Sequence, residues 1–170
     1  MMASAELQQA IDSLKIRDVY LRGLDARCLG DFDPKYAPDL TELTIQQMHL
    51  VNQSQVVEIE GDRQLLRVFV RLGVRWVDSK DSSEEESVRA LIEAEFITEY
   101  EITKDLEKAA IDEFSLKNAS YHVWPYWREL LSSQCSRMHL PRLILPTVQL
   151  AHNRHQKVEG SESASKVTEH

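Results

Sequence analysis

The chain has 170 residues, of which 42% are hydrophobic and 28% charged, and its formal net charge is −8. These values are typical of one globular domain with a sizeable core. The acidic balance weighs against nucleic-acid binding and against an anionic membrane surface, because both require clustered basic residues. No apolar run approaches the roughly 18 residues of a membrane span. Residues 1–15 lack the basic start and apolar centre of a secretory signal, so we predict a cytoplasmic protein.

Motifs of catalysis and metal binding are absent from the sequence. It contains no GxSxG, no P-loop and no HExxH. Cys28 and Cys135 form no CxxC, and we predict two buried free thiols. Several histidines are interpreted as surface, interface or tail residues rather than as bases or ligands: His122, His139, His152 and His155. We therefore predict a protein that is not an enzyme and that needs no cofactor and no metal.

The N-terminal half predicts one helix and then extended structure. Residues 4–14 have helical apolar spacing, with Ser4 as a candidate N-cap. Residues 16–28 predict a strand whose apolar phase switches at Gly23, which indicates a β-bulge or a bend. Residues 43–60 predict a second strand, which ends at a tight Gly-Asp turn.

The clearest pattern predicts an antiparallel hairpin of residues 66–76 and 88–102. Even positions of both segments are almost all apolar, whereas arginines occupy odd positions of the first and glutamates those of the second. Such alternation indicates one buried face, so we predict buried even positions and exposed odd ones. We also predict that Arg71 lies opposite or diagonal to Glu93 or Glu95.

The C-terminal half predicts helices. Residues 105–117 and 118–140 have helical spacing, Pro125 begins or kinks a helix, and Pro141 ends the second stretch. Strands first and helices last define the α+β class. We divide the chain into an N-terminal amphipathic helix (1–15), a main domain (16–151) and a disordered polar tail (152–170).

Large apolar residues surround much of the long helix, which predicts that it packs on two sides and that the protein is a homo-oligomer. These residues are Trp124, Trp127, Leu130, Leu131 and Met138.

One stretch of the long helix resembles a known family. The sequence Val-Trp-Pro-Tyr-Trp-Arg-Glu at residues 123–129 is similar to the Phe-Pro-Tyr-Ala-Arg-Glu motif of SecB, the bacterial export chaperone family. The similarity continues through residues 136–146, which hold a Ser-Arg, a proline at the helix end and a Leu-x-Leu-Pro run. Residues 16–28 and 66–102 resemble the first strand and the central hairpin of the family.

The resemblance implies a fold and a function. The fold would be a four-stranded antiparallel sheet followed by a long C-terminal helix and a second short helix, assembled as a tetrameric dimer of dimers. The function would be that of a bacterial, ATP-independent holding chaperone, which binds unfolded polypeptides in hydrophobic grooves. The clients would be preproteins for export or a labile antitoxin. A dedicated adaptor or assembly protein with a single folded partner is the alternative.

Residues 22–27 depart from the export proteins. SecA docks on an aspartate and a glutamate of the first strand in those proteins, and this segment matches neither acid, which weighs against SecA as a partner. The N-terminal helix and the Trp-Pro-Tyr form are more similar to SecB-like chaperones of toxin–antitoxin systems.

Two groups of residues are candidates for the site. We predict that apolar residues beside the helix end bind clients: Tyr126, Trp127, Leu140, Leu143 and Leu145. We predict that a second group forms the core or the oligomer interface: Tyr20, Trp124, Leu131, Cys135 and Met138. For Tyr126 and Trp127 the core or interface stays an alternative, and Arg128 and Glu129 are interpreted as structural, forming an ion pair or a cap.

Overall fold

The computed structural model describes residues 3–80, 87–145 and 152–153. Four long strands follow a short N-terminal helix, and two further helices follow the strands. The elements are α1 (Ala5–Ser13), β1 (Leu14–Cys28), β2 (Thr44–Ile59), β3 (Arg63–Val77), β4 (Val88–Ile102), α2 (Lys108–Lys117), α3 (Ala119–Arg137) and β5 (His152–Asn153). The predicted α+β class is confirmed, with the shorter helix α2 preceding the long helix α3.

The strand order in the sheet is β1-β4-β3-β2-β5. The four long strands are antiparallel, as predicted, and β5 pairs in parallel with Leu50 and Val51 of β2. The predicted disordered tail thus begins with two paired residues, while its remainder, 154–170, lies outside the described residues. So do residues 81–86 of the acidic loop and 146–151 of the apolar segment.

A bulge interrupts β1 at the place where the apolar phase switches. The pairing register with β4 shifts between Leu21 and Gly23, which confirms the predicted bulge, and it shifts again between Ile16 and Asp18. Each bulge adds one residue to the edge strand and increases its local twist.

The central hairpin of β3 and β4 is confirmed. Arg71 lies opposite Glu95, and its guanidinium is 3.7 Å from the carboxylate of Glu93. The even positions form an inner face that the helices cover, and nearly all of them are buried. The buried members are Leu66, Val68, Val70, Leu72, Val74, Trp76, Ala90, Ile92, Ala94, Phe96, Thr98 and Tyr100.

The prediction that all odd positions are exposed is wrong. Phe69, Leu91 and Ile97 lie on the outer face and are nevertheless buried. Phe69 shows the reason, since the guanidinium groups of Arg22 and Arg67 lie 5.8 and 5.4 Å from its ring centroid. These two long charged side chains thus lie along the sheet and cover Phe69.

Helix α3 packs one stripe of side chains on the inner face of the sheet. Its buried residues recur every three or four positions, as one face of a helix requires: Ser120, Val123, Trp124, Trp127, Leu131 and Cys135. Leu130 and Met138 are half-buried against the same core, so these large apolar residues lie on or beside one face of the helix. Packing of α3 on a second side stays a prediction. No helix in the described part of the chain is long and apolar enough to cross a membrane.

Helix α1 docks on α2 and leads directly into β1. The Ser4 side chain accepts a hydrogen bond from the Leu7 N–H at 3.1 Å, which confirms the predicted N-cap. The same hydroxyl lies 2.7 Å from the Glu113 carboxylate on α2. Ala10 is completely buried, so this short helix is held by packing as well as by its cap.

A half-buried histidine links β4 to α3 and predicts a pH dependence. Nδ1 of His122 lies 2.8 Å from the Tyr100 hydroxyl, and burial lowers the pKa of His122 below its ordinary value. Since the fold favours the neutral imidazole, this contribution to stability is present above the ordinary pKa of about 6.5 and is lost as the pH falls below it. We expect the fall in melting temperature from about pH 7.5 to about pH 5 to be smaller in His122→Gln than in the parent.

His139→Asn is the matched control, because His139 is exposed and makes no side-chain hydrogen bond within the described residues. Its fall in melting temperature should equal that of the parent. An unchanged fall in His122→Gln would show that His122 does not couple folding to protonation.

Candidate functional site

The end of α3 reverses the chain through a Schellman motif. His139 takes a left-handed backbone conformation, with φ 57°. The Leu140 N–H donates to the Cys135 carbonyl at 3.0 Å, and the His139 N–H donates to the Ser136 carbonyl at 3.5 Å. Leu140 and Cys135 are both buried, which supplies the apolar contact that accompanies this motif. The reversal brings residues 140–145 back to α3.

Residues 142–145 alternate between exposed and covered side chains. Arg142 and Ile144 are exposed, whereas Leu143 is half-buried and Leu145 is buried. Ile144 is 90% exposed, which is unusual for a large aliphatic side chain in an ordered segment. Leu143 packs half-buried against the core and so holds the segment to α3.

A concave pocket lies between this segment and the exposed side of α3. Its volume is about 210 Å³. Helix α3 contributes polar groups and the segment contributes mainly apolar ones: Arg128, Glu129, Ser132, Arg142, Leu143, Ile144 and Leu145. Tyr126 is 51% exposed and stands three residues before Glu129, a spacing that places the two on neighbouring turns of one helix face. We call Tyr126, Leu143 and Ile144, together with this pocket, the client surface, after the client binding that the sequence predicts for Tyr126 and Leu143.

The five residues predicted to bind clients are divided between surface and core. Tyr126 is exposed and Leu143 is half-buried, so both have accessible surface. Trp127, at 2% exposure, is buried against the sheet, and Leu140 and Leu145 are buried as well. A client cannot reach Trp127 and Leu140 in this conformation, whereas Leu145 offers it only the small area that lines the pocket. The assignment of the whole group to client binding stays a prediction.

The residues predicted for the core or the oligomer interface lie in two places. Trp124, Leu131 and Cys135 belong to the buried stripe of α3, and Met138 packs half-buried against the same core. Tyr20 lies instead on the outer face of the sheet, where its hydroxyl accepts a hydrogen bond from Arg67 at 2.8 Å.

The structure gives Arg128 and Glu129 a place other than the expected one, and it adds Arg142 and Ile144 to the candidate site. Arg128 and Glu129 were expected to form an ion pair or a cap, but neither makes a side-chain hydrogen bond or ion pair within the described residues, so that expectation is wrong. The sequence does not identify Arg142 and Ile144 as site residues, since a Leu-Ile-Leu run does not reveal which member faces outward. This run follows Pro141, which is predicted to end the helix, and that position is the one sign in the sequence that the segment is exposed.

The thiols are unsuited to nucleophilic chemistry. Burial raises the pKa of the Cys135 thiol to about 11, so it is protonated at neutral pH. Burial and, secondarily, Asp33 raise the pKa of Cys28. Both cysteines are free; Cys135 is buried as predicted, and Cys28 is half-buried. The described residues contain no cluster of three or more His, Cys, Asp or Glu that could hold a metal ion.

A second concavity lies on the inner face of the sheet, between the C-terminal half of β2 and helix α2. Its volume is about 300 Å³, and it is lined by Ser54, Gln55, Val56, Leu66, Leu106, Lys108, Ile111 and Asp112. It contains none of the residues that the sequence predicted for the site.

Comparison with known proteins relates this fold to a class of chaperone. A SecB-like chaperone of Mycobacterium tuberculosis, solved in complex with a ChAD peptide from the HigA1 antitoxin, superposes with a TM-score of 0.66. The superposition covers 88% of this chain and 100% of the other, at 16% sequence identity. No protein-family model and no curated protein matches the chain. The resemblance that the Trp-Pro-Tyr motif indicated is therefore confirmed in the fold, which is that of a SecB-like chaperone.

Proposed function

We propose that the chain is an ATP-independent holding chaperone of the bacterial cytoplasm, which binds unfolded segments of other polypeptides at the client surface. One observation carries the proposal: an almost fully exposed Ile144 stands at the rim of a pocket, on a fold shared with a chaperone solved with a bound peptide. Apolar surface of this kind is costly in water and is typical of interaction sites.

The physical basis is burial of apolar side chains. Each square ångström of apolar surface removed from water contributes roughly 25 cal/mol, whatever the sequence of the client. A protein that holds many clients gains little from specific hydrogen-bond pairing, so exposed aliphatic and aromatic side chains suit it. Tyr126 and Ile144 provide both kinds on a backbone fixed by α3 and its Schellman motif.

We propose an antitoxin rather than an export precursor as the principal client. The solved relative carries an antitoxin peptide, which favours this choice. The first strand also lacks the matched acids on which SecA docks in export proteins, and one acid beside it, Glu95, is already paired with Arg22 at 2.6 Å. A basic partner would have to displace that arginine.

A dedicated adaptor with one partner is the second candidate. The small pocket favours it, since about 210 Å³ offers room for little more than one large side chain. Such a site would recognise one anchoring residue rather than a long unfolded segment.

Suppression of aggregation, without ATP, separates the two candidates. We expect the full chain to keep several unrelated unfolded proteins soluble, including a labile antitoxin. Protection of one client alone would favour the adaptor. Failure to protect any client, at a concentration above that of the client, would contradict the holding chaperone.

We also propose that the chain forms a homo-oligomer through the edge of β1. Ile16, Leu21 and Leu24 lie on the inner face of β1 and are exposed, beyond the cover of the helices. A long edge strand with apolar neighbours is prone to pair with another chain. Light scattering should give a multiple of 19.6 kDa, and Leu21→Lys/Leu24→Lys should shift the mass towards that of one chain. A single-chain mass for the parent at micromolar concentration would refute the proposal.

A further inference from the structure

Two arginines that have no partner among the described residues stand beside the apolar part of the pocket. Arg128 projects from α3 and Arg142 from the returning segment, and both are exposed. Neither makes a side-chain hydrogen bond or an ion pair to any residue that the structure describes. The arginines of β3 differ, since Arg67, Arg71 and Arg75 all lie within 4 Å of glutamates on β4.

The charge of the pocket is opposite to that of the chain. Two arginines and one glutamate, Glu129, line it, which gives a formal charge of +1 in a protein of net charge −8. Arginine keeps its charge throughout the physiological range, and its planar fork of N–H donors matches a carboxylate. Leu143 and Ile144 provide apolar surface next to that fork.

We propose that the pocket selects client segments in which an aspartate or glutamate stands next to large apolar residues. The side-chain carboxylate would accept hydrogen bonds from Arg128 and Arg142, while the apolar neighbours cover Leu143 and Ile144. This inference rests on the proposed function, because it names the kind of segment that the client surface holds. It predicts a local preference for acidic segments, against the general repulsion that an acidic chaperone exerts on them.

Three peptides that differ at one position test this preference on the full chain. Each has the same apolar residues and blocked ends, and the variable position is Glu, Gln or Lys, so that only a side-chain carboxylate is tested. We expect the Glu peptide to bind about fivefold more tightly than the Gln peptide, as for a partly exposed ion pair, and the Lys peptide to bind most weakly. Added salt should reduce the difference.

Variants of Arg128 and Arg142 test whether these two side chains cause the preference for the Glu peptide. Arg128→Gln/Arg142→Gln should bind the Glu and Gln peptides equally, and Arg128→Glu/Arg142→Glu should prefer the Lys peptide. Arg137→Gln is the control, because it removes one positive charge from the same helix at a side chain that donates to Ser133 and does not line the pocket. It should retain the preference for Glu.

Three results would contradict the inference, and they differ in whether the proposed function is contradicted as well. Equal binding of the Glu and Gln peptides by the parent would overturn the inference and leave the proposed function standing. A preference for Glu that survives in Arg128→Gln/Arg142→Gln would overturn it as well, since the charge would then lie elsewhere. Binding of none of the peptides would contradict the proposed function and this inference together.

Discussion

Replacing Trp124 with alanine is expected to lower the free energy of unfolding by about 3–5 kcal/mol. The side chain is buried in the centre of the stripe that α3 packs on the sheet, and its ring stacks on His49 at a centroid distance of 5.4 Å. The substitution removes apolar burial and leaves a cavity that surrounding side chains fill only in part. Total stabilities are about 5–15 kcal/mol, so this single change is large.

Tyr126→Ala is the matched control, since it removes an aromatic ring of similar size from the exposed side of the same helix. It should change the free energy of unfolding by no more than about 0.5 kcal/mol. Urea denaturation at one fixed chain concentration makes the comparison, because oligomers gain apparent stability with concentration. Equal effects of the two substitutions would show that α3 does not pack as described.

Replacing Ile144 with serine is expected to weaken client binding about tenfold while the fold stays unchanged. Burying an isoleucine side chain contributes roughly 1.5–3 kcal/mol, and about 1.4 kcal/mol corresponds to a factor of ten in affinity. The fold should tolerate the change because Ile144 is 90% exposed in the free chain. Titration of an unfolded client at constant chaperone concentration measures the effect.

Two further variants distinguish client binding from folding. Ile144→Val keeps an apolar side chain at the rim and should hold clients nearly as well as the parent. Leu145→Ser changes a buried neighbour and should lower the melting temperature, which Ile144→Ser should not do. Full client binding by Ile144→Ser would place the client surface elsewhere, and the concavity at β2 and α2 would be the next to test.

The central hairpin could be predicted because its pattern is strictly local. Alternation with a period of two over both strands indicates the pairing and the buried face, and it placed Arg71 beside Glu93 and Glu95 correctly. The burial of Phe69 could not be read in the same way. It depends on Arg22 of β1. The bulges of β1 and the strand order place this residue beside the hairpin.

The helical part was predicted in outline, with a break between Lys117 and Asn118 where the structure separates α2 from α3. The spacing of apolar residues along the long helix also indicates which of its side chains are buried. Helical spacing places Trp124, Trp127 and Leu131 on one face and Tyr126 away from it, so the burial of Trp127 follows from period alone.

The burial of Leu140 and Leu145 depends on the reversal at His139. A left-handed helix end is most often signalled by glycine, and histidine at this position gives no comparable signal. Without the reversal, residues 142–145 have no defined inner and outer side. The pocket with Arg128 and Arg142 was therefore out of reach of sequence reasoning.

Site-specific photo-crosslinking tests the central claim most directly. A photoreactive residue at position 144 reports on the client surface, and one at Arg75, exposed on the outer face of the sheet, is the control. With an unfolded antitoxin and no nucleotide, we expect crosslinks from position 144 that an excess of unlabelled unfolded client abolishes, and few from position 75. Crosslinks from position 75 alone, or none from either position while the client stays bound, would contradict the account.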